Sequence, residues 1–465
     1  MNWLHLAEQH REDFLKDLTH FLSINSVEDM TTAADGQPFG TGVAQALDFL
    51  LDKAVRDGFL TQNFEGYAGA INYGQGDEQI GILAHVDVVP AGDPDEWSTP
   101  PFSPEIRNGR IYARGAIDDK GPALAAYYAM KIVRDTDLPL SKQIRFIIGT
   151  DEESGWLCMK RYGELASFPE TGFSPDADFP IIHAEKGQIN PTITLEPEQD
   201  ATGSFLLRSF TSGERVNMVP DSAVAVIETT HDLPSHFSAF LKKYDLRGID
   251  ITSGSTVTLI LNGQSAHGMA PQTGRNAGTW LAHFLSKYPF TGSAKSFLSF
   301  LTDTLHEDHH GEQLGIACSD DVTGKLTVNP GVLTYDEEKG AVVKLNIRYP
   351  ATVSPEERLN LLCDKLQTLG LHLADVRTSK SHYVPHDHPA VQTLQSVYRD
   401  QTGQEPTLLS SGGATYARSL KYGVAFGAVF PGEVMTAHQT DEYANIDSLL
   451  KAMSLYAQAI YELAK

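Results

Sequence analysis

Cysteine is scarce in this chain. Cys158, Cys318 and Cys363 are the three in 465 residues, widely spaced and odd in number. They form neither a disulfide framework nor a CxxC zinc pattern, and they suit a reducing compartment. Basic residues are also short, 36 Lys and Arg against 60 Asp and Glu, for a formal charge of -24. Such a surface repels phosphate backbones and anionic lipid, so neither a nucleic acid nor a membrane is expected as a partner. No stretch approaches the ~20 apolar residues of a membrane span. The start of the chain, "MNWLHLAEQHREDFLKDLTHFLSI", carries charges throughout, and Leu4, Phe14, Leu18 and Phe21 recur at helical spacing. It reads as an amphipathic helix rather than the unbroken apolar core of a signal peptide, and a cytoplasmic protein is expected. No repeat of 20–50 residues and no low-complexity tract is present.

The length allows two or three domains. Over 1–186, the apolar runs "QIGILAHVDV", "QIRFIIGTDE" and "FPIIHAEKG" alternate with helical stretches such as "GPALAAYYAMKIVRD". That pattern predicts an α/β domain with a mixed, largely parallel sheet flanked by helices. Over 187–384 the texture becomes α+β. Alternating runs such as "STVTLILNG" and "GAVVKLNIRYP" read as half-solvated antiparallel strands, and "PSHFSAFLKKYD" and "SPEERLNLLCDKLQTLG" as helices. From 385 to 465 the α/β pattern resumes. The expected organisation is a discontinuous catalytic α/β domain, 1–186 plus 385–465, interrupted by an α+β lid at 187–384.

Ligands in open α/β sheets bind beyond the carboxyl ends of the strands. Here those ends are acidic. His85 and Asp87 close one apolar run, Asp151-Glu152-Glu153 another, and Asp176 stands just before a third. Asp118 and Asp119 occupy the turn before a helix. Imidazole with several carboxylates suits a divalent transition metal, zinc first, and the excess of acids can bridge two ions. In His85-x-Asp87 both side chains face one way along a strand, so Asp87 can accept the imidazole N–H turned away from a metal. In Glu152-Glu153 neighbouring side chains diverge, so one can ligate while the other serves as a general base.

Six segments in order, "HVDVVPAG", "GAIDDKGP", "TDEESG", "PDADFP", "GQSAHGMAPQTGRNA" and "AHQTDE", resemble the aminoacylase/carboxypeptidase-type family of co-catalytic zinc hydrolases. The resemblance is to its dipeptidase branch, similar to bacterial PepV and carnosinase-like enzymes. It implies that His85 and Asp176 hold one zinc, that Glu153 and His438 hold the other, and that Asp118 bridges them. Asp118 is preferred to Asp119 for its distance from the Lys-Gly of the motif. Asp87 would orient His85, and Glu152 would be the general base. From the lid, His267 would polarise the scissile carbonyl, while Asn217 and Arg348 would bind substrate, including its terminal carboxylate. Gly412 and Gly413 match a loop near the substrate. Cobalt or manganese can replace zinc in such sites. Shorter-lidded relatives borrow the lid histidine from a dimer partner, so the long lid here implies a monomer.

The resemblance thus implies a di-zinc dipeptidase, unspecific or Xaa-His in preference. An N-acyl amino-acid deacylase of acylornithine or succinyl-diaminopimelate type would use the same scaffold. A catalytically inactive zinc-dependent binding paralogue would be expected to lack Glu152 or a ligand, and all are present. Two histidine-rich runs, "HEDHHGE" at 306–312 and "HYVPHDHP" at 382–389, look metal-like but are expected to be a solvated loop and a linker. Asp151 is expected to shape its turn.

Overall fold

The computed structural model describes residues 1–198 and 204–465. The chain divides into two compact units. Met1–Ala184, Tyr383–Ser410 and Ala414–Lys465 form the first, and Glu185–His382 with Ser411–Gly413 form the second.

In the first unit, strands Leu60–Phe64, Ala68–Tyr73, Gln143–Gly149, Gln79–His85, Thr171–Ser174, Tyr422–Ala425 and Ile181–Glu185 lie side by side in that order. The four from Gln143–Gly149 to Tyr422–Ala425 are mutually parallel. Antiparallel strands flank them on both sides. Ile82, Leu83 and Ala84 are all wholly buried, as expected of a parallel strand covered on both faces. Helices Lys120–Asp135 and Ile446–Ala464 pack against each other and against the sheet. The first of these is buried along its whole length from Lys120 to Met130, and its Ala-rich sequence is apolar on every side. Gly121 is required there, because a Cβ would lie 2.1 Å from the carbonyl oxygen of Ala116.

The N-terminal periodicity resolves into two helices, Trp3–Gln9 and Arg11–Ser23, with a break at His10. Phe14, Leu18 and Phe21 are buried as their spacing predicts, but Leu4 is 45% exposed. The break resets the helical phase, so Trp3 and Ala7 form the inward face of the first helix.

The second unit is an antiparallel sheet in the order Arg247–Ser253, Thr256–Asn262, Ser222–Thr229, Phe205–Ser212, Thr327–Asp336, Gly340–Tyr349, Gly187–Leu195 and His372–Ser379. Ala223, Ala225 and Ile227 alternate inward with period two. In the neighbouring strand both Leu207 and Phe210 are buried, because a bulge between Leu207 and Ser209 shifts the alternation by one residue. The helices Leu233–Tyr244 and Pro355–Thr368 start where the sequence signals it. Asp232 accepts the N–H of Ser235 at 3.1 Å, and Ser354 accepts that of Glu357 at 3.3 Å.

Candidate metal centre

The carboxyl ends of the parallel strands share one edge of the sheet, and the acidic motifs emerge there. His85 is the last residue of its strand and is fully buried. Asp151, Glu152 and Glu153 follow Gly149, and Asp176 follows Ser174. Asp118 ends the turn that opens Lys120–Asp135. His438 lies in the loop before Ile446–Ala464, at a left-handed φ of 65°.

These residues converge on two overlapping donor groups. Donor atoms of His85, Asp118 and Asp176 lie within 4.8 Å of one another, as do those of Asp118, Glu153 and His438. Asp118 belongs to both. Its Oδ1 is 3.1 Å from Nε2 of His85, and its Oδ2 is 3.0 Å from Nε2 of His438. The same nitrogen of His438 is 3.0 Å from Oε1 of Glu153, and Nε2 of His85 is 3.6 Å from Oδ2 of Asp176. Asp119 points elsewhere, and its Oδ2 accepts the backbone N–H of His85 at 3.1 Å.

Asp87 acts in a way its spacing did not reveal. Nδ1 of His85 is 2.9 Å from the Asp87 carbonyl oxygen, nearer than the 3.4 Å to its carboxylate Oδ1. The other carboxylate oxygen accepts the N–H of Glu153 at 3.0 Å. One residue therefore orients the imidazole of the first group and the backbone of the second.

The charges are those of a cluster in need of a cation. Burial pushes Glu153 up to about 7, with Asp118 adding to the rise and His438 opposing it. Burial likewise lifts Asp176 to about 6, and it raises Glu152 well above the carboxylate range. At His438 burial opposes protonation, but Asp118 and Glu153 overcome it and push the imidazole up to about 11. No lysine or arginine pairs with Asp118, Glu152, Glu153 or Asp176 among the described residues. Oxygen and imidazole donors around a shared carboxylate fit divalent ions of the zinc, cobalt or manganese type. The residues present therefore fit such ions.

A separate set of candidates meets within the second unit. The N–H of Gly268 donates to the carbonyl oxygen of Asn217 at 2.7 Å, and Met218 forms a bridge with His267. Buried Asn329 donates to the carbonyls of Val216 and Met218, both at 2.8 Å, and so grips the loop on each side of Asn217. Gly268 is needed here, since a Cβ would be 2.9 Å from the Asn217 oxygen. Arg348, 3% exposed, donates through Nε to Asn346 at 2.8 Å and through Nη1 to the carbonyl of Gly412. Gly412 offers a carbonyl, and the N–H of Gly413 goes to Ser411 Oγ at 2.8 Å.

The sequence signature of peptidase family M20/M25/M40 matches residues 81–462. The chain belongs to peptidase family M20/M25/M40. It is a peptide hydrolase, and the six motifs resemble this same family. A Bacillus subtilis relative, "Putative dipeptidase YtjP", is 49% identical over 470 residues and covers 100% of both chains. "Putative dipeptidase SSP1012" of Staphylococcus saprophyticus is 41% identical over 466 residues, covering 99% of each. Among solved structures, human carnosine dipeptidase 1 superposes with a TM-score of 0.57 over 99% of this chain and 98% of its own, at 15% identity. That likeness is one of fold. M20 membership implies divalent metal use, and the two donor groups described above are the candidate ligands.

Neither histidine-rich run contributes a donor to the two groups described above. The run at 306–312 differs from a solvated loop. His306 is half-buried, stacked on His283 with ring centroids 4.7 Å apart and set edge-on to Trp280 at 4.6 Å. Asp308 caps the N–H groups of Glu312 and Gln313, and His310 Nδ1 lies 2.9 Å from the Leu326 carbonyl. In the other run, His388 opens helix Pro389–Thr402 and stacks on Tyr422 at 4.2 Å. Asp151 shapes its turn by accepting the N–H groups of Gly155 and Leu157.

Sequence reasoning missed several supports of the centre. Lys120 is fully buried, and its Nζ donates to the carbonyls of Phe21 and Ile24 at the end of helix Arg11–Ser23. Ser26 Oγ donates to the carbonyl of Val86 at 2.6 Å, between His85 and Asp87. The lysine of "DDKG" was the available signal for the first; nothing in the sequence signalled the second. No helix among the described residues is long and apolar enough to cross a membrane.

Proposed function

We propose that this chain is a dipeptidase that works with two divalent ions, zinc in the first instance. The observation that carries the reading is the carboxylate of Asp118, shared between two donor groups, with Glu152 within electrostatic reach of His85, Asp176, Glu153 and Asp118. His85 and Asp176 would hold one ion, Glu153 and His438 the other, and Asp118 both. When bound, such a pair polarises a carbonyl and lowers the pKa of water towards ~7. Glu152 takes the proton of the attacking water and returns it to the leaving amine; its burial favours keeping the proton between those steps. His267 donates to the carbonyl oxygen as negative charge develops there. Arg348, its guanidinium fixed by Asn346 and Gly412, receives the terminal carboxylate of a short substrate, and Asn217 binds a neighbouring polar group.

The names of the curated relatives favour dipeptides over other short substrates. We assign a broad aminoacyl-dipeptidase, Xaa-His peptides included, acting as a cytoplasmic monomer. The deciding experiment couples metal quantification with a panel of dipeptides, tripeptides and N-acetyl amino acids. Cleavage confined to dipeptides, by protein carrying two ions per chain, is the expected result. Preference for N-acetyl amino acids would move the assignment to the deacylase.

A further inference from the structure

The last acid of the "AHQTDE" motif belongs to neither donor group. Glu442 is wholly buried, and its Oε2 is 2.6 Å from Nη1 of Arg114, itself 3% exposed at the side chain. Its Oε1 accepts two backbone N–H groups, from Ile117 at 3.0 Å and from Asp118 at 3.3 Å. Arg114 also donates to the carbonyl of Gln439 at 3.2 Å and to that of Pro90 at 3.4 Å. The pair thus joins the segment following His85, the turn carrying Asp118 and the loop carrying His438.

That loop needs an anchor. His438 is half-exposed and, like Asp441, sits at a left-handed φ. Among the described residues no strand ladder includes His438, and the loop is tied by Glu442 and by Asp441, whose Oδ1 accepts the backbone N–H and the hydroxyl of Ser98, both at 2.8 Å. Burying an ion pair is costly, and where cohesion is the sole task apolar side chains serve as well. Here the pair also fixes two backbone segments whose separation sets the distance from Asp118 to His438. The His85 and Asp176 side is carried by strand ends instead.

We propose that Glu442, paired with Arg114, is a positioning residue that sets the affinity of the ion held by Asp118, Glu153 and His438, leaving the ion at His85 and Asp176 little affected. This rests on the two-ion reading above. The test uses full-length protein stripped of metal and titrated with Zn2+ against a chromophoric chelator, with thermal unfolding of each metal-free form. Arg114→Met/Glu442→Leu removes the pair without stranding a buried charge, and it should weaken one of two binding steps about 10–100-fold. Glu442→Gln, whose amide oxygen still accepts from Ile117 and Asp118, should lose less, and excess Zn2+ should restore its turnover. His438→Ala is the reference for a lost ligand. Two unchanged steps in the double variant, beside a lost step in His438→Ala, overturn the positioning role alone. Equal weakening of both steps overturns it in favour of general support of the fold. Unchanged binding in all three variants removes the two-ion reading and the positioning role together.

Discussion

Nε2 of His438 lies 3.0 Å from Oδ2 of Asp118, while Oδ1 of the same carboxylate lies 3.1 Å from Nε2 of His85. One side chain therefore belongs to both halves of the centre. Asp118→Asn should lower occupancy at both positions, whereas His438→Ala should cost one ion and leave the other. Elemental analysis after dialysis separates the two outcomes. Equal loss in both variants would argue against a shared carboxylate.

Glu152 precedes Glu153 in the chain and interacts electrostatically with His85, Asp176 and Asp118, yet belongs to neither donor group. Glu152→Gln should retain its metal while kcat falls by roughly 10³-fold or more, the scale of a lost general base. Near-normal turnover in a fully loaded variant would exclude Glu152 from proton transfer.

Asp87 touches the centre through its backbone and its carboxylate at once. Asp87→Asn preserves the carbonyl that faces His85 Nδ1, so metal binding and rate should fall less than in His85→Ala. A chelator titration of both variants ranks them, and the reverse order would contradict the geometry.

The two residues of the second unit proposed to act on substrate should separate in kinetics. His267→Ala should lower kcat by about 10²–10³-fold at unchanged metal content, as expected for a lost donor to a developing oxyanion. Arg348→Lys should raise KM more than it lowers kcat, because a lysine cannot reproduce the guanidinium fork. Full activity in His267→Ala would remove it from the reaction.

Burial, helped by His283 and His309, lowers His306 from the usual 6.5 to about 4. An unfolded chain therefore binds this proton more readily than the folded one between those values. The contribution to stability is complete above pH ~6.5 and declines as the pH falls towards about 4. His306→Phe removes the titration. The gap in unfolding temperature between wild type and variant should therefore shift in favour of the variant between pH 7.5 and pH 5. A pH-independent gap would show that His306 binds its proton equally well in the folded and unfolded chains, contrary to this linkage.

Much of the centre was legible because its signals are local. An imidazole or carboxylate at the end of an apolar run places itself at a strand end, and period-two alternation marks the strands of the second unit. The same locality explains the misses. Leu4 kept helical spacing with Phe14, but a break at His10 turned it outward. His306 looked solvated because polar letters carry no record of Trp280 and His283, which pack against it from helix Ala277–Leu285.

By itself, then, the sequence determined the donor types, their order and their attachment to an α/β sheet, since side-chain chemistry and strand periodicity are properties of short segments. Tertiary structure decided how the neighbouring acids divide the work. Asp118 faces both imidazoles while Asp119 turns to the His85 backbone. Asp87 presents its carbonyl to His85 and its carboxylate to Glu153. Glu442 is drawn inward by Arg114 rather than left beside His438. Each of these choices depends on where a distant loop comes to rest, and hydrogen bonds across that distance are made only once the chain has closed on itself.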